Sequence, residues 1–250
     1  MVNVQSDRNN VSMASDWHQF AKENHFWFQW RFKTLLKLNV LPVSKQNIFE
    51  IGCGTGVFLN QLKSKFNYSI LGCELERNTY EIGLKNIGEE HIIFYNIFDN
   101  NPNLLASFDI VFLMDVIEHI ENDRDFIKKA IQYLKYNGLI IINVPAHNAL
   151  FSKYDSIAGH YRRYNKKEIK ALLSDLNLNI LYVRYWGFTL YPIALLRKFV
   201  LYFIKADKII ERGFEPQNIF FEKLLHLLMY FDTHIKYHPF GTSIIVAART

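Results

Sequence analysis

The sequence predicts a doubly wound α/β domain on a mostly parallel sheet, and three observations carry that prediction. Five short, continuous apolar runs between residues 47 and 144 alternate with helical stretches, the pattern of a sheet covered on both faces. The first run ends in a glycine-rich turn, Gly52-Cys-Gly-Thr-Gly56, that opens into a helix. Half of the 250 residues are hydrophobic and 16% are aromatic, enough for one sizeable core. Right-handed crossovers between such strands place the ligand edge at their C-terminal ends.

The elements follow in order. Residues 1–15 are polar. Asp16 to Leu38 reads as a helix, with Asp16 as N-cap and Phe20, Phe28, Leu35 and Leu36 at near-helical spacing; Pro42 marks the exit. Asn47–Ile51 is the first strand, and a helix runs from the glycine turn to about Phe66. Ser69–Cys73 is the second strand, Arg77–Asn86 a helix and His91–Tyr95 the third strand. Phe108–Met114 is the fourth strand, Asp125–Leu134 a helix, and Gly138–Val144 the fifth strand, stopped by Pro145. A polar, basic loop then reaches Asn165, followed by a helix at Lys166–Leu173 and a strand at Asn179–Tyr185. Residues 189–235 read as amphipathic helices broken around Gly213–Pro216, and Thr242–Ala248 as a last strand. The expected organisation is one domain: a cap helix at 16–38, a core at 47–185, a helical cap at 187–237 and a final strand at 241–250.

Composition excludes several classes. With 21% charged residues and few Gly or Pro, the chain is neither disordered, collagen-like nor of low complexity. The nearest candidate for a membrane span, Tyr185 to Leu196, is bounded by Arg184 and Arg197 and falls short of the ~20 residues of a spanning helix. Two cysteines, Cys53 and Cys73, make no disulfide framework and suit a reducing compartment. The N-terminus has no apolar secretory core, so a cytoplasmic location is expected. The net charge of +5 concentrates in residues 151–170 and 184–212, and the aromatic excess in Trp17–Phe32 and Ile180–Phe240. A basic-rimmed, apolar acceptor pocket or membrane-facing cap would use both. No nucleic-acid-binding module is visible.

The glycine turn chooses among ligands by its spacing. A dinucleotide fingerprint is G-x-G-x-x-G; here the third glycine comes one residue early and Val57 stands in its place. Glu50, two residues before the first glycine, suits a ligand with an amino group better than a phosphate. Glu74 ends the second strand, 22 residues after Gly52, where a carboxylate suits paired ribose hydroxyls. No P-loop signature is present.

Glu50-x-Gly52-x-Gly54-x-Gly56, Glu74, Phe108-Asp-Ile-Val111 and Asp115-Val-Ile-Glu-His119 together resemble class I S-adenosylmethionine-dependent methyltransferases, in the branch acting on small molecules. The resemblance spans roughly residues 17–185 and the final strand. His25-Phe-Trp-Phe28 with Arg31, and Gly159-His-x-Arg-Arg-Tyr164, are similar to segments of one bacterial subgroup. The resemblance implies a seven-stranded sheet with the last strand antiparallel. It implies that Glu50, Gly52 and Gly54 surround the methionine part of the cofactor, with Cys53 and Gly56 in the same loop. Glu74, with Leu75, would hold the ribose. Asn96 and Ile97 would meet the adenine, where the family usually has Asp. Met114 would lie beside the methyl group and Trp27 in a lid.

A base is needed only where the acceptor must lose a proton; His119, His160 and Asp115 are the candidates. His25, Arg31, His160, Tyr161, Arg162, Arg163 and Tyr164 are the candidate acceptor contacts, the arginines suiting a carboxylate or phosphate. His91, His147, His226, His234 and His238 form no metal-ligand spacing, so no metal is expected. The expected activity is methyl transfer to an oxygen or nitrogen of a small molecule. Alternatives are a membrane-peripheral methyltransferase of a quinone or lipid-linked intermediate, and a non-catalytic cofactor-binding partner protein. The apolar tail also suits a dimer face.

Overall fold

The computed structural model describes residues 23–205 and 218–250. α1 (Phe26–Lys37) leads into β1 (Asn47–Ile51), α2 (Val57–Lys65), β2 (Ser69–Glu74), α3 (Arg77–Ile87) and β3 (Ile92–Phe94). β4 (Phe108–Met114), α4 (Asp123–Ala130), β5 (Leu134–Pro145), α5 (Lys153–Ile157), α6 (Lys166–Ser174) and β6 (Asn179–Trp186) follow. α7 (Tyr191–Tyr202), α8 (Ile219–Asp232) and β7 (Ser243–Arg249) complete the described chain. The seven strands form one sheet in the order β3-β2-β1-β4-β5-β7-β6. β1 to β5 pair in parallel, and β7 inserts antiparallel between β5 and β6. The strand order reverses between β1 and β4, which opens a crevice at their C-terminal ends.

Strand periodicity builds the two halves of the core. Phe49, Val111, Leu113 and Ile140 face one side with Tyr133; Ile48, Ile110, Phe112 and Ile141 face the other with Phe58 and Trp30. Phe112 is fully buried and meets the Phe58 ring edge-on at 4.9 Å. Phe112→Ala is therefore expected to cost about 3–5 kcal/mol, measured as a lower urea midpoint at unchanged m-value.

Some boundaries differ from those read in the sequence. The expected N-cap Asp16, with residues up to 22, lies outside the described residues, as does the expected break at Gly213–Pro216. α1 begins at Phe26 because His25 is extended and its Nδ1 accepts the Trp27 N–H at 3.2 Å. β5 starts at Leu134, ahead of Gly138, because Leu134 pairs with Phe108. α5, inside the expected loop, starts where the Asp155 carboxylate accepts the Ser152 N–H and hydroxyl at 2.8 and 3.0 Å.

α1, α7 and α8 cover the crevice. The Trp30 indole N–H donates to His226 Nδ1 at 2.9 Å, tying α1 to α8. Buried Asp232, at the end of α8, accepts the Gly187 and Thr189 N–H groups, each at 3.0 Å, which pins α8 to the turn before α7.

Candidate functional site

A cavity of about 620 Å³ lies over the C-terminal ends of β1, β2 and β4, roofed by α1, α7 and α8. At one end is the glycine turn. Gly52 and Gly54 have φ of +69° and +57°, and a Cβ on Gly52 would stand 2.9 Å from Val116. Glu74 fixes this turn: its Oε2 accepts the Gly54 N–H at 2.9 Å, and its Oε1 accepts the Leu75 and Glu76 N–H groups at 2.7 and 2.8 Å. Burial raises its carboxyl above the usual range, and these N–H groups oppose that rise. Glu50 is buried too, and burial pushes its carboxyl up to about 8, opposed by Arg31 and reinforced by Glu74 and Asp115. Its Oε2 has no hydrogen-bond partner among the described residues, although it lies in the cavity wall. A buried, unsatisfied carboxyl oxygen beside glycine backbone fits a ligand that brings an ammonium group and draws the proton off it.

The middle of the cavity is polar. Asp115, at φ +64°, accepts Arg31 Nη1 on Oδ2 at 2.6 Å and Asn143 Nδ2 on Oδ1 at 2.5 Å. Asn143 in turn accepts the Trp186 indole N–H at 2.8 Å, so one chain of bonds links α1, β4, β5 and β6. Trp27 packs over Trp186 with ring centroids 4.5 Å apart. Opposite lie His119 and His160, their rings edge-to-face at 4.5 Å. Burial, and then His160, lower His119 to about 3, so it stays neutral. His160 Nδ1 lies 2.9 Å from Asp155 Oδ1, which Arg163 Nε also contacts at 2.7 Å. Burial alone would raise Asp155, but the His160 hydrogen bond and the Arg163 guanidinium hold its carboxyl well below the usual range. An ionised Asp155 fixes the His160 tautomer with Nδ1–H, leaving Nε2 as an acceptor. The far end is apolar, walled by Leu190, Ile193, Val200, Leu201, Phe221 and Leu225 of α7 and α8 and their flanks.

The cavity thus gathers Glu50, Gly52, Cys53, Gly54, Glu74, Met114, Asp115, His119, His160, Arg163, His25, Trp27 and Arg31 from the residues read in the sequence. Others lie outside its wall. Gly56 serves packing, since a Cβ there would stand 2.7 Å from Ile87. Asn96 caps a short turn by accepting the Phe98 N–H at 3.0 Å, Ile97 is core, and Leu75 contributes the backbone N–H already described. Tyr161 is exposed. Arg162 pairs with Asp123 at 2.9 Å and the Tyr164 hydroxyl donates to the same carboxylate at 2.7 Å, so both are spent on the fold. Arg31 and Arg163 line the cavity but are already paired, which makes them positioning groups first. Burial raises the Cys53 thiol well above its usual range, which argues against a nucleophile. Sequence reasoning missed Asp155 as the partner of His160; the Ser152-x-x-Asp155 capping pattern was the available signal.

The antiparallel seventh strand, the glycine turn at the crossover point and the acid ending β2 define a Rossmann-like methyltransferase fold. The chain belongs to the methyltransferase domain family, whose family model matches residues 11–183. It is 27% identical over 169 residues to the ubiquinone biosynthesis O-methyltransferase of Rickettsia typhi, covering 58% of this chain and 65% of that protein. The chain therefore spans just under two thirds of that relative's length. It superposes on phosphoethanolamine N-methyltransferase 2 of Haemonchus contortus, solved in complex with S-adenosyl-L-methionine, with a TM-score of 0.59 and 19% identity over 96% of this chain and 60% of that one. A chain from the Haloferax volcanii complex of a methyltransferase activator and a methyltransferase gives a TM-score of 0.63 at 13% identity, covering 96% of this chain and 99% of that one. At these identities the superpositions establish the fold.

Proposed function

We propose that this protein is an S-adenosylmethionine-dependent methyltransferase that methylates a hydroxyl on an amphiphilic small molecule. One observation carries the reading: a single cavity joins an ammonium-seeking carboxylate, a polar centre with a poised imidazole, and an apolar end. Bound S-adenosylmethionine would supply an electrophilic methyl group. Glu50 holds the amino group of the methionine part, and Gly52 and Gly54 let the backbone approach it. The Glu74 carboxylate, with about four lone-pair sites, can still accept ribose hydroxyls beyond its three backbone bonds. His160 Nε2 takes the acceptor's proton, with Asp155 stabilising the resulting charge. The walls of α1, α7 and α8 exclude water and align the acceptor. The similarity to a ubiquinone biosynthesis O-methyltransferase supports oxygen as the methylated atom and a quinone-pathway intermediate as the acceptor. Calorimetry with S-adenosylmethionine and S-adenosylhomocysteine tests the cofactor; saturable binding of neither would overturn the reading.

A membrane-peripheral form of this enzyme has its own support. α7 and α8 expose Leu196, Phe199, Tyr202, Phe203, Phe220 and Phe231, beside Lys198, Lys205 and Lys223. No helix among the described residues is long and apolar enough to cross a membrane, so this surface would lie on it. Sedimentation with vesicles containing phosphatidylserine should recover the protein, and Phe199→Glu/Phe203→Glu should release it. Concentration-dependent dimerisation without vesicle binding would assign the surface to a second copy instead. The two free, buried cysteines support a reducing compartment, the cytoplasm.

A further inference from the structure

We propose that Tyr154 selects the acceptor, its hydroxyl donating a hydrogen bond to a carbonyl oxygen that the acceptor carries besides the hydroxyl to be methylated. The inference rests on the proposed methyltransferase reading and deepens it by narrowing the class of acceptor.

Tyr154 is set apart by the state of its hydroxyl. Five tyrosines are buried among the described residues: Tyr68, Tyr95, Tyr133, Tyr164 and Tyr185. Each spends its hydroxyl inside the fold. Tyr68 donates to Pro42 O, and Tyr133 donates to Ile97 O at 2.5 Å. The Tyr95 and Tyr133 hydroxyls bond each other at 2.7 Å, Tyr164 donates to Asp123 at 2.7 Å, and Tyr185 accepts the Lys166 N–H at 3.1 Å. Tyr154 instead lines the cavity, and its hydroxyl has no hydrogen-bond partner among the described residues. Nor is that oxygen sealed within the protein, so a ligand in the cavity can reach it.

The ring is held in place. α5 is a short helix whose N-terminus is capped by Ser152 and Asp155, and the Ala158 N–H closes its turn on Tyr154 O at 2.8 Å. The adjacent Asp155 is completely buried and fixed by Arg163 and His160. The Arg197 guanidinium lies 4.9 Å from the Tyr154 ring centroid, so α7 braces a residue of α5.

The surroundings decide what the hydroxyl offers. Burial raises the phenol above its usual range, opposed by Arg197 and Arg163 and reinforced by Asp155 and Asp115. Tyr154 therefore keeps its proton at neutral pH and acts as a donor. Arg197, beside it on the cavity wall, carries donors and no acceptor. A wall of donors suits an oxygen that has lone pairs and no proton of its own, which is a carbonyl and not a hydroxyl. An acceptor molecule without that oxygen leaves the Tyr154 donor unmet in the closed cavity and is rejected. No bond is made or broken at Tyr154. His160 Nε2, six residues on, takes the proton of the reacting hydroxyl, and the second contact at Tyr154 fixes which hydroxyl meets the methyl group.

Calorimetry on the full-length protein loaded with S-adenosylhomocysteine tests this. The probes are phenols in matched pairs, with an acetyl or an ethyl group at the ortho, meta or para position. In at least one pair the acetyl phenol should bind about 5- to 100-fold more tightly than its ethyl partner. Tyr154→Phe should close that gap to about twofold, with S-adenosylhomocysteine affinity and circular dichroism as in the parent. Tyr136→Phe, fully exposed on β5, should leave the preference unchanged. A parent that binds the members of every pair equally or binds none of them, or a preference that survives in Tyr154→Phe, overturns the role of Tyr154. Any of these results with intact S-adenosylhomocysteine binding leaves the methyltransferase reading standing; loss of that binding in the parent overturns the reading itself.

Discussion

His160→Ala should lower kcat by about 10²–10⁴-fold and leave cofactor affinity within about threefold, measured as S-adenosylhomocysteine release with an alkyl-substituted phenol as acceptor. The ring lines the cavity on the side proposed for the acceptor, and it makes no bond to the glycine turn that Glu74 fixes. Stability should fall only modestly. Asp155 loses one side-chain hydrogen-bond partner, yet Arg163 still contacts it at 2.7 Å and Ser152 still donates to it twice. Asp155→Asn should act in the same direction through the tautomer of His160, with a smaller fall in kcat than loss of the ring. An unchanged kcat in His160→Ala would return this loop to a purely structural role.

The split between legible and hidden parts of this site has a physical cause. β1 to β5 were readable because strands buried on both faces must be continuously apolar, and the limits of β4 were read to the residue. The placement of Glu50, Gly52, Gly54 and Glu74 around one turn was readable because a strand–turn–helix unit of fixed geometry puts them at fixed spacings. The loop after α5 was different. Six neighbouring residues, Gly159 to Tyr164, carry His, Tyr and Arg, but only His160 and Arg163 reach the cavity. Arg162 and Tyr164 turn instead to Asp123, some 40 residues earlier, a pairing that no local pattern records. The same distance in sequence hid the approach of His160 to His119. Charge clustering showed where a site would be, while long-range pairing decided which members belong to it.

Glu50→Gln should weaken S-adenosylmethionine binding roughly 10- to 100-fold, the worth of a hydrogen bond to a charged group at about 1.5–3 kcal/mol. The pH dependence separates this from a packing defect. Because burial holds the free carboxyl at about 8, Glu50 is protonated in the empty protein at neutral pH. A cofactor ammonium favours the carboxylate, so binding below pH 8 releases a proton, and log Kd should fall by up to one per pH unit between about pH 6 and 7. The cofactor's α-amino group stays largely charged over that window and loses its proton only toward about pH 8, where the slope flattens. Glu50→Gln should flatten the slope and abolish the proton release seen when calorimetry is repeated in buffers of different ionisation enthalpy. Stability supplies an independent sign. A carboxyl raised on folding contributes stability that is full below its unfolded value near pH 4.5 and lost as pH rises through about 8. The empty Glu50→Gln protein should therefore gain stability relative to the parent at pH 9 and not at pH 4. A variant that loses affinity while keeping the parental pH slope would show that another group, and not Glu50, meets the amino group.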